Sequence, residues 1–391
     1  MTATDRRSRS APVIVIAPDK FRGSMTALDA AQALGDGIRD VLPESRLILM
    51  PIADGGEGTL DAFTHAGGER RVVLVRGPLG TATLAEYGVH ADAALIEASE
   101  AIGIHLVEGA APGVAVHASS YGLGEAIRAA ITDGAGEVIV ALGGTATSDG
   151  GIGMIAALGF ELIARNGTLL SGTPADLMDI AEVRHTTATI RLRQIGFQVA
   201  SDVTNPLLGP SGAAAVFAPQ KGATVEDVAV IEERLTRWSV ALERSTSVST
   251  AGLPGAGAAG GIAAPLVALL GARVRSGATI VLDLLGMDEA MQRADLVVTG
   301  EGSLDAQTID GKAPAEVARR ARDLGIPVVA VAGIAATELP GITELFPVIY
   351  QLSALSTPGE DSFIDARAIA RRAGSLLASR WLDSEIAPRP A

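Results

Sequence analysis

Acidic residues recur in this chain at one kind of place, directly after a short apolar run and inside a loop of glycines or other small residues. These acids are Asp19, Asp54, Glu97, Asp149, Asp202 and the neighbouring pair Glu301 and Asp305. Carboxylates in such loops can hold Mg²⁺, accept hydrogen bonds from substrate hydroxyl groups or act as a base. One such acid is an ordinary surface turn, whereas their recurrence indicates a shared site.

Lysine is rare in the chain, and each lysine lies within three residues of a glycine. There are three lysines among the 31 basic residues, namely Lys20, Lys221 and Lys312. A lysine ammonium is a compact point charge that suits phosphate or carboxylate, whereas arginine supplies the general basicity here. We therefore expect these positions to require lysine for an anionic ligand, with chance placement in charged loops as the alternative.

Glycine-rich loops open several of the expected helices. The pattern Asp-Gly-Gly-x-Gly occurs at Asp54–Gly58 and again at Asp149–Gly153. A third run, GAGAAGG at 255–261, has the letters of a dinucleotide fingerprint but lacks the preceding strand that an NAD site needs. It either offers backbone N–H groups to a phosphate or allows close helix packing. Gly311-Lys312 is followed by alanine, which excludes a P-loop.

Composition narrows the class of protein. The absence of cysteine excludes disulfides, thiolate catalysis and cysteine-based metal sites. A net charge of −14 argues against a nucleic-acid surface, and no apolar run is long enough for a membrane span, so we expect a cytoplasmic protein. Glycine loops, a metal, a few cations and a positioned carboxylate are the parts of a phosphoryl-transfer site. The sequence therefore permits a small-molecule kinase.

The elements that position these residues follow two styles. Val13–Ile16 and Leu47–Met50 are apolar runs separated by a helix pattern with a capping box at Thr26 and Asp29, which predicts a βαβ unit with parallel strands. From Arg71 onward, short runs at 72–75, 83–89 and 94–96 predict an antiparallel meander. The run 280–284 is predicted as a strand. The β/α style resumes with a strand at 295–298 and a loop starting at Gly300.

This change of style predicts two α/β domains. Residues 12–70 and 290–383 are expected to form a discontinuous, Rossmann-like parallel α/β/α domain. Residues 71–289 are expected to form an inserted α/β domain with a mixed sheet. We expect flexible tails at 1–11 and 384–391.

Several longer motifs resemble the bacterial glycerate kinase family, in particular its glycerate 2-kinase branch. They are APDKFRGSMTA at 17–27, PIADGGEGT at 51–59, GGTATSDGGIGM at 143–154, SDVTNPLLG at 201–209, VFAPQKGAT at 216–224, GAGAAGG at 255–261 and TGEGSLDAQTIDGKAP at 299–314. Their order is the family's order and they span most of the chain.

The resemblance implies transfer of a phosphoryl group from ATP to D-glycerate with Mg²⁺, giving 2-phosphoglycerate. It implies a fold without a P-loop and an active site between two domains. The partners are then a small-molecule substrate and a nucleotide, with no nucleic acid and no membrane, and a homodimer is compatible with the sequence.

Site roles follow from the resemblance. As metal ligands we expect Asp54, Asp202, Glu301 and Asp305. As catalytic residues we expect Asp202, Asp305 and Lys312, with Asp202 the first choice as base. As substrate-binding residues we expect Asp19, Lys20, Arg22, Asp54 and Glu57. As residues that bind the nucleotide phosphates we expect Gly143, Gly144, Thr145, Asp149, Gly257, Gly260 and Gly261.

The chain departs from the family pattern at a few positions. Lys20 stands where serine is common, and Arg22 where lysine is common, so the basic charge has moved within the first loop. Leu123 replaces a usual threonine or valine, and Ser303 replaces a common arginine.

Two other functions fit a two-domain chain with glycine loops. One is an NAD-dependent hydroxy-acid oxidoreductase, which the misplaced dinucleotide fingerprint disfavours. The other is a non-catalytic relative that senses glycerate, which the retention of the acidic loops disfavours.

Overall fold

A computed structural model describes residues 11–21, 23–56, 58–107, 111–309, 311–383 and 385–386. The strands of these residues are β1 (Val13–Pro18), β2 (Arg46–Leu49), β3 (Glu69–Arg76), β4 (Ala82–His90), β5 (Ala93–Glu97), β6 (Glu137–Ala141), β7 (Glu161–Ala164), β8 (Leu169–Leu170), β9 (Ile180–Arg184), β10 (Gly196–Ala200), β11 (Arg273–Arg275), β12 (Leu296–Leu304), β13 (Val328–Ala335) and β14 (Val348–Gln351).

The α-helices of the same residues are α1 (Ala27–Val41), α2 (Thr59–His65), α3 (Ala98–Ile102), α4 (Val114–His117), α5 (Tyr121–Thr132), α6 (Ile152–Ala157), α7 (Thr187–Ile190), α8 (Ala213–Phe217), α9 (Val225–Thr246), α10 (Ala258–Gly261), α11 (Ala263–Leu270), α12 (Gly277–Leu284), α13 (Met287–Gln292), α14 (Ala306–Ile309), α15 (Ala313–Asp323), α16 (Pro340–Leu345), α17 (Leu352–Leu355) and α18 (Ala366–Leu382).

The chain divides into two compact units. Unit 1 comprises the residues up to Asp54 and those from Ala278 onward, and unit 2 comprises Gly55–Gly277. The sequence placed these boundaries near residues 70 and 290. The difference at the first boundary arises because α2 contacts β4 and β5 of unit 2. In addition, the backbone N–H of Leu60 donates to Glu97 Oε1 at 2.6 Å, at the start of α2.

Unit 1 is built on a five-stranded sheet in the order β14-β13-β12-β1-β2. All of its strand pairs are parallel, as predicted. Its strands are apolar on both faces because both faces are covered. Ile14 and Ile16 belong to one buried cluster, with α1 and α18, and Val15 and Ala17 belong to a second, with α15. The Thr26 side chain accepts a hydrogen bond from the Asp29 N–H at the start of α1.

Strand β12 is longer than the sequence indicated. The prediction of a loop starting at Gly300 was wrong, because β12 stays paired with β13 as far as Leu304. A Cβ atom at Gly300 would lie 1.7 Å from the carbonyl oxygen of Val331. This glycine therefore permits close approach of two strands, and it places Glu301 near the carboxyl end of the sheet.

Unit 2 is built on a six-stranded sheet in the order β11-β10-β6-β5-β4-β3. Strands β3, β4 and β5 form the predicted antiparallel meander, and β5, β6, β10 and β11 pair in parallel. The sheet is thus mixed. The predicted fold class, with one parallel and one mixed α/β sheet, is confirmed.

Two local features differ from the sequence prediction. The run 280–284 belongs to helix α12 and not to a strand. Ala278 and Leu282, four residues apart, are both buried in the unit 1 core, and a short continuous apolar run does not separate a buried helix from a strand. A small antiparallel sheet, β8-β7-β9, was not predicted. Among the residues that the structure describes, no helix is both long and apolar enough to span a bilayer.

Candidate functional site

A cavity of about 350 Å³ lies in unit 1, where the carboxyl ends of β1, β12 and β13 meet. Ligands of open parallel sheets bind at this edge, because the strand-to-helix loops gather there. The cavity brings together six of the residues that the sequence selected. Its charged lining residues are Asp19, Lys20, Asp54, Glu301, Asp305 and Lys312.

One side of this cavity is apolar. Phe21 and Leu352 are buried, whereas Ile334 and Phe363 line the cavity with more than half of their surface exposed. The cavity therefore joins a charged end to an apolar end, as small-molecule sites commonly do.

Asp19 is the most deeply buried acid of this cavity. Its backbone N–H donates to the Gly300 carbonyl oxygen at 2.8 Å, which ties the end of β1 to β12. The Lys20 N–H donates to Asp19 Oδ1 at 2.6 Å. Burial, together with the nearby charges of Asp54 and Glu301, raises the pKa of Asp19 to about 7. A carboxyl group that titrates near neutral pH is suited to accept a proton from a substrate.

Glu301 and Lys312 form an ion pair in the cavity. Lys312 Nζ lies 3.0 Å from Glu301 Oε2, and the Thr308 hydroxyl donates to Glu301 Oε1 at 2.7 Å. Burial raises the pKa of Glu301, while the Thr308 hydrogen bond and the Lys312 charge oppose that shift. Both carboxylate oxygens of Glu301 are thus engaged, and Lys312 is held at the cavity wall.

Asp305 begins the short helix α14. Its Oδ1 accepts the Gln307 N–H at 2.9 Å, and the Ser303 hydroxyl donates to its Oδ2 at 3.4 Å. The Asp305 N–H in turn donates to the Thr308 hydroxyl at 3.0 Å. Asp305 therefore fixes the loop that contains Thr308, the residue whose hydroxyl donates to Glu301. The contact of Ser303 with Asp305 is a weak one.

The residues of unit 1 suit a magnesium ion in donor chemistry, because carboxylate oxygens are its usual protein ligands. Among the described residues, no group of three or more acids or histidines is arranged to hold a metal by itself. Magnesium in phosphotransferases commonly takes one or two carboxylates and completes its shell with phosphate and water, so it needs no such group. Of the lining acids, Glu301 is the one whose oxygens are held by Lys312 and Thr308.

In unit 2, the 143–149 segment runs from β6 toward α6 and is held by Asp149. Asp149 is buried and accepts hydrogen bonds from the Ser120 N–H and hydroxyl, both at 2.8 Å, and from the Gly151 and Gly153 N–H groups. Burial raises the pKa of Asp149, and these hydrogen bonds oppose the shift. All of these partners are internal, so Asp149 fixes the shape of the segment, and its binding of nucleotide phosphates stays a prediction.

Lys221, one of the three lysines that the sequence predicts to bind an anionic ligand, contacts this same segment. Its Nζ donates to the Thr147 carbonyl oxygen at 2.6 Å, and Thr145 Oγ1 lies 3.4 Å away.

The glycine run at 255–261 packs tightly against backbone. A Cβ atom at Gly257 would lie 2.3 Å from the Pro206 carbonyl oxygen, and one at Gly260 would lie 2.1 Å from that of Thr147. Gly260 and Gly261 also have positive φ angles of 70° and 95°. Close packing thus requires these glycines, and their binding of phosphate stays a prediction.

Three further residues chosen from the sequence are not among the described lining residues of the unit 1 cavity. Asp202 belongs to unit 2, where the Gly277 N–H donates to its Oδ1 at 3.2 Å. Arg22 and Glu57 lie outside the described residues.

Comparison with protein families gives one match, to the model described as the glycerate kinase family, over residues 14–378. A glycerate kinase of Halalkalibacterium halodurans is 43% identical over 325 residues, which is 82% of this chain and 85% of that protein. The glycerate 2-kinase of Escherichia coli K12 is 36% identical over 373 residues, which is 93% of this chain and 98% of that protein.

A solved structure is also similar. The crystal structure of a putative glycerate kinase 2 from Salmonella typhimurium LT2 superposes with a TM-score of 0.85 at 37% sequence identity. The match covers 96% of this chain and 99% of that one. The likeness therefore covers nearly the full length of both chains.

Proposed function

The chain belongs to the glycerate kinase family, and we propose that it transfers the γ-phosphoryl group of ATP to D-glycerate. Members of this family are kinases, so the chain is an enzyme. The observation that supports this substrate is the match over residues 14–378, which includes every charged residue of the unit 1 cavity. The product proposed is 2-phosphoglycerate, the product implied by the glycerate 2-kinase branch.

In the proposed reaction, a hydroxyl oxygen of glycerate attacks the γ-phosphorus of ATP. The bond between that phosphorus and the β,γ-bridging oxygen breaks, ADP leaves, and the hydroxyl proton passes to a carboxylate. The sequence favoured Asp202 as this base. The near-neutral pKa of Asp19 makes Asp19 a second candidate, and both have to be tested.

The cations of unit 1 bind the anionic parts of the substrate in this proposal. Lys20 and Lys312 lie at the charged end of the cavity, where an ammonium can bind the glycerate carboxylate or neutralise the transferring phosphoryl group. The backbone of Gly143, Gly144 and Thr145 is proposed to hold the nucleotide phosphates. A bound Mg²⁺ would supply charge neutralisation at the phosphates, with Asp54 and Asp305 as the unit 1 residues suited to hold it.

The experiment is a product analysis with purified protein, ATP, D-glycerate and MgCl₂. We expect glycerate-dependent release of ADP and the ³¹P NMR signal of 2-phosphoglycerate, with L-glycerate as the matched control substrate. Addition of EDTA should abolish turnover, and excess Mg²⁺ should restore it. A signal of 3-phosphoglycerate would correct the product, and ATP hydrolysis independent of glycerate would exclude the proposed substrate.

A cytoplasmic location and a homodimeric assembly remain predictions from the sequence. Size-exclusion chromatography with light scattering would test the second of these.

A further inference from the structure

Lys221 is a buried cation whose charge no carboxylate in the described part of the chain neutralises by direct contact. The residue is 3% exposed. Its ammonium donates to one carbonyl oxygen, that of Thr147, at 2.6 Å, and approaches the Thr145 hydroxyl oxygen at 3.4 Å. An ammonium has three donors, and a buried ion without a counter-ion is costly. Such a group calls for an anion.

The acid whose charge reaches Lys221 is Asp149, but its oxygens are directed elsewhere. Asp149 accepts hydrogen bonds from Ser120, Gly151 and Gly153, and no ion pair joins it to Lys221 within the described residues. Burial lowers the pKa of Lys221 to about 8, and the Asp149 charge only partly opposes this shift. Helix α4 also packs against the turn that carries Lys221, and its titratable residue, His117, is exposed.

The segment between these two groups has unused polar atoms. The side-chain oxygens of Thr147 and Ser148 are buried and have no hydrogen-bond partner among the described residues. Thr147 is fully buried and Ser148 is 3% exposed. Buried hydroxyl groups are normally hydrogen-bonded, so a cluster of them beside an uncompensated cation indicates an incomplete polar site.

We propose that Lys221 is a positioning residue for the nucleotide, which holds the 143–148 segment through Thr145 and Thr147 and supplies positive charge to the phosphate group bound there. Because the ammonium approaches the Thr145 hydroxyl oxygen, that hydroxyl is left to donate its hydrogen to a phosphate oxygen. The inference rests on the proposed use of ATP. It gives a specific role to Lys221, which lies in the 216–224 motif but outside the unit 1 cavity.

The first test separates charge from hydrogen bonding. Lys221→Gln keeps a donor for the Thr147 carbonyl oxygen but removes the charge, and Lys221→Met removes both. We expect both variants to raise KM for ATP at least about 10-fold, the range of a charge-assisted hydrogen bond, while KM for D-glycerate changes little. Arg191→Met, which removes an exposed cation of the same unit, is the control. A KM for ATP near the wild-type value in Lys221→Gln, with a raised KM in Lys221→Met, would indicate a purely structural hydrogen bond and overturn the proposal.

The second test follows the proton. If a phosphate lies near Lys221, binding of ADP at pH 8 should return the ammonium fully to its charged form. Isothermal titration calorimetry in two buffers of different ionisation enthalpy should then show uptake of roughly half a proton by the wild-type protein. Lys221→Gln should abolish that uptake.

These outcomes distinguish this inference from the proposed function. Wild-type protein that phosphorylates glycerate with ATP but takes up no proton on binding ADP at pH 8 would overturn the role of Lys221 alone. Wild-type protein that neither binds ADP nor turns over glycerate would remove the proposed function as well. Since absence of proton uptake is measured on wild-type protein, that outcome would overturn the role of Lys221 even if both Lys221 variants misfold.

Discussion

Asp19 is a buried acid of the unit 1 cavity whose pKa differs strongly between the unfolded and the folded chain. Its ordinary pKa of 3.8 is raised to about 7 in the folded protein, so between these two pH values the folded state keeps a proton that the unfolded state has lost. Stability therefore falls as pH rises through this window and remains lower above it. The buried carboxylate is a cost that the protein tolerates at neutral pH, as functional sites often do.

Asp19→Asn should consequently stabilise the protein at pH 8. The amide oxygen can still accept the Lys20 N–H, and the free energy of unfolding should increase by up to about 4 kcal/mol at pH 8, with a much smaller gain near pH 4. Urea denaturation at both pH values measures this. Asp36→Asn, an exposed acid on α1, is the control. An equal gain at both pH values would show that charge burial is not the cause.

The same substitution tests whether Asp19 is the base. If the ionised form of Asp19 accepts the glycerate proton, kcat/KM of the wild-type protein should fall below about pH 7. Asp19→Asn should then lose at least ~10²-fold in turnover, and Asp202→Asn should be less affected. A large loss in Asp202→Asn with near-normal turnover in Asp19→Asn would restore Asp202 as the base.

At Asp305, a substitution by asparagine removes the negative charge but keeps the hydrogen bond that supports the start of α14. An asparagine at this position can still accept the Gln307 N–H through its Oδ1, so α14 should begin normally. Asp305→Asn should therefore keep the wild-type melting temperature and lose at least ~10²-fold in turnover. Calorimetry and a coupled ADP-release assay measure the two quantities. Near-normal turnover would exclude Asp305 from both the metal site and the catalytic step.

Among the elements, β12 positions part of the cavity, because the strand stays paired with β13 beyond Gly300. Gly300 allows the backbone of β13 to approach, and the extended strand then presents Glu301 to the cavity. A larger residue in place of Gly300 would push β13 away from β12.

Gly300→Ala should therefore separate β12 from β13. The added methyl group would lie 1.7 Å from the Val331 carbonyl oxygen, a backbone atom that cannot move without disturbing the parallel sheet. We expect a loss of 1–3 kcal/mol or more, measured by urea denaturation. Gly252→Ala is the matched control, because a Cβ there meets nothing within 4 Å. Equal stability of the two variants would contradict the close strand approach.

These elements also show what the sequence can and cannot predict. Strongly patterned stretches such as the β1–α1–β2 unit and the β3–β4–β5 meander were predicted correctly, because their apolar periods and caps are local. The 280–284 run was predicted wrongly because its apolar residues suit a buried helix equally well. The role of a glycine is the hardest to predict from the sequence. At Gly300 and Gly260 it serves close backbone approach, which depends on a neighbour far along the chain.

For the site, the sequence predicted which residues come together but not the environment of each residue. The acids and two of the lysines of the unit 1 cavity were found from residue type and position alone, since parallel strands end at one edge of a sheet. The pKa of Asp19 was not, because it depends on burial and on the charges of two acids distant in sequence. Lys221 was singled out from the sequence as a rare residue within the 216–224 motif, but its contacts with Thr145 and Thr147 required the fold.

At the scale of the whole molecule, the two units differ in whether their residues are continuous in sequence, and this determines which unit can fold by itself. Each large cluster of buried apolar residues in the described ranges lies inside one unit. Unit 2 is continuous in sequence, whereas the central strands of unit 1, β1 and β12, come from opposite ends of the chain. Unit 1 therefore forms only when both ends of the chain are present.

A fragment of residues 55–277 should consequently fold alone. It contains a complete six-stranded sheet and a core centred on residues such as Trp238, Leu123 and Ile127. We expect cooperative thermal unfolding by circular dichroism, with little binding of a hydrophobic dye. A fragment of residues 1–54 is the contrasting case, since β1 lacks β12, and it should show no cooperative transition. A gradual, dye-binding melt of the 55–277 fragment would mean that its core depends on unit 1, and the two units would then unfold as one.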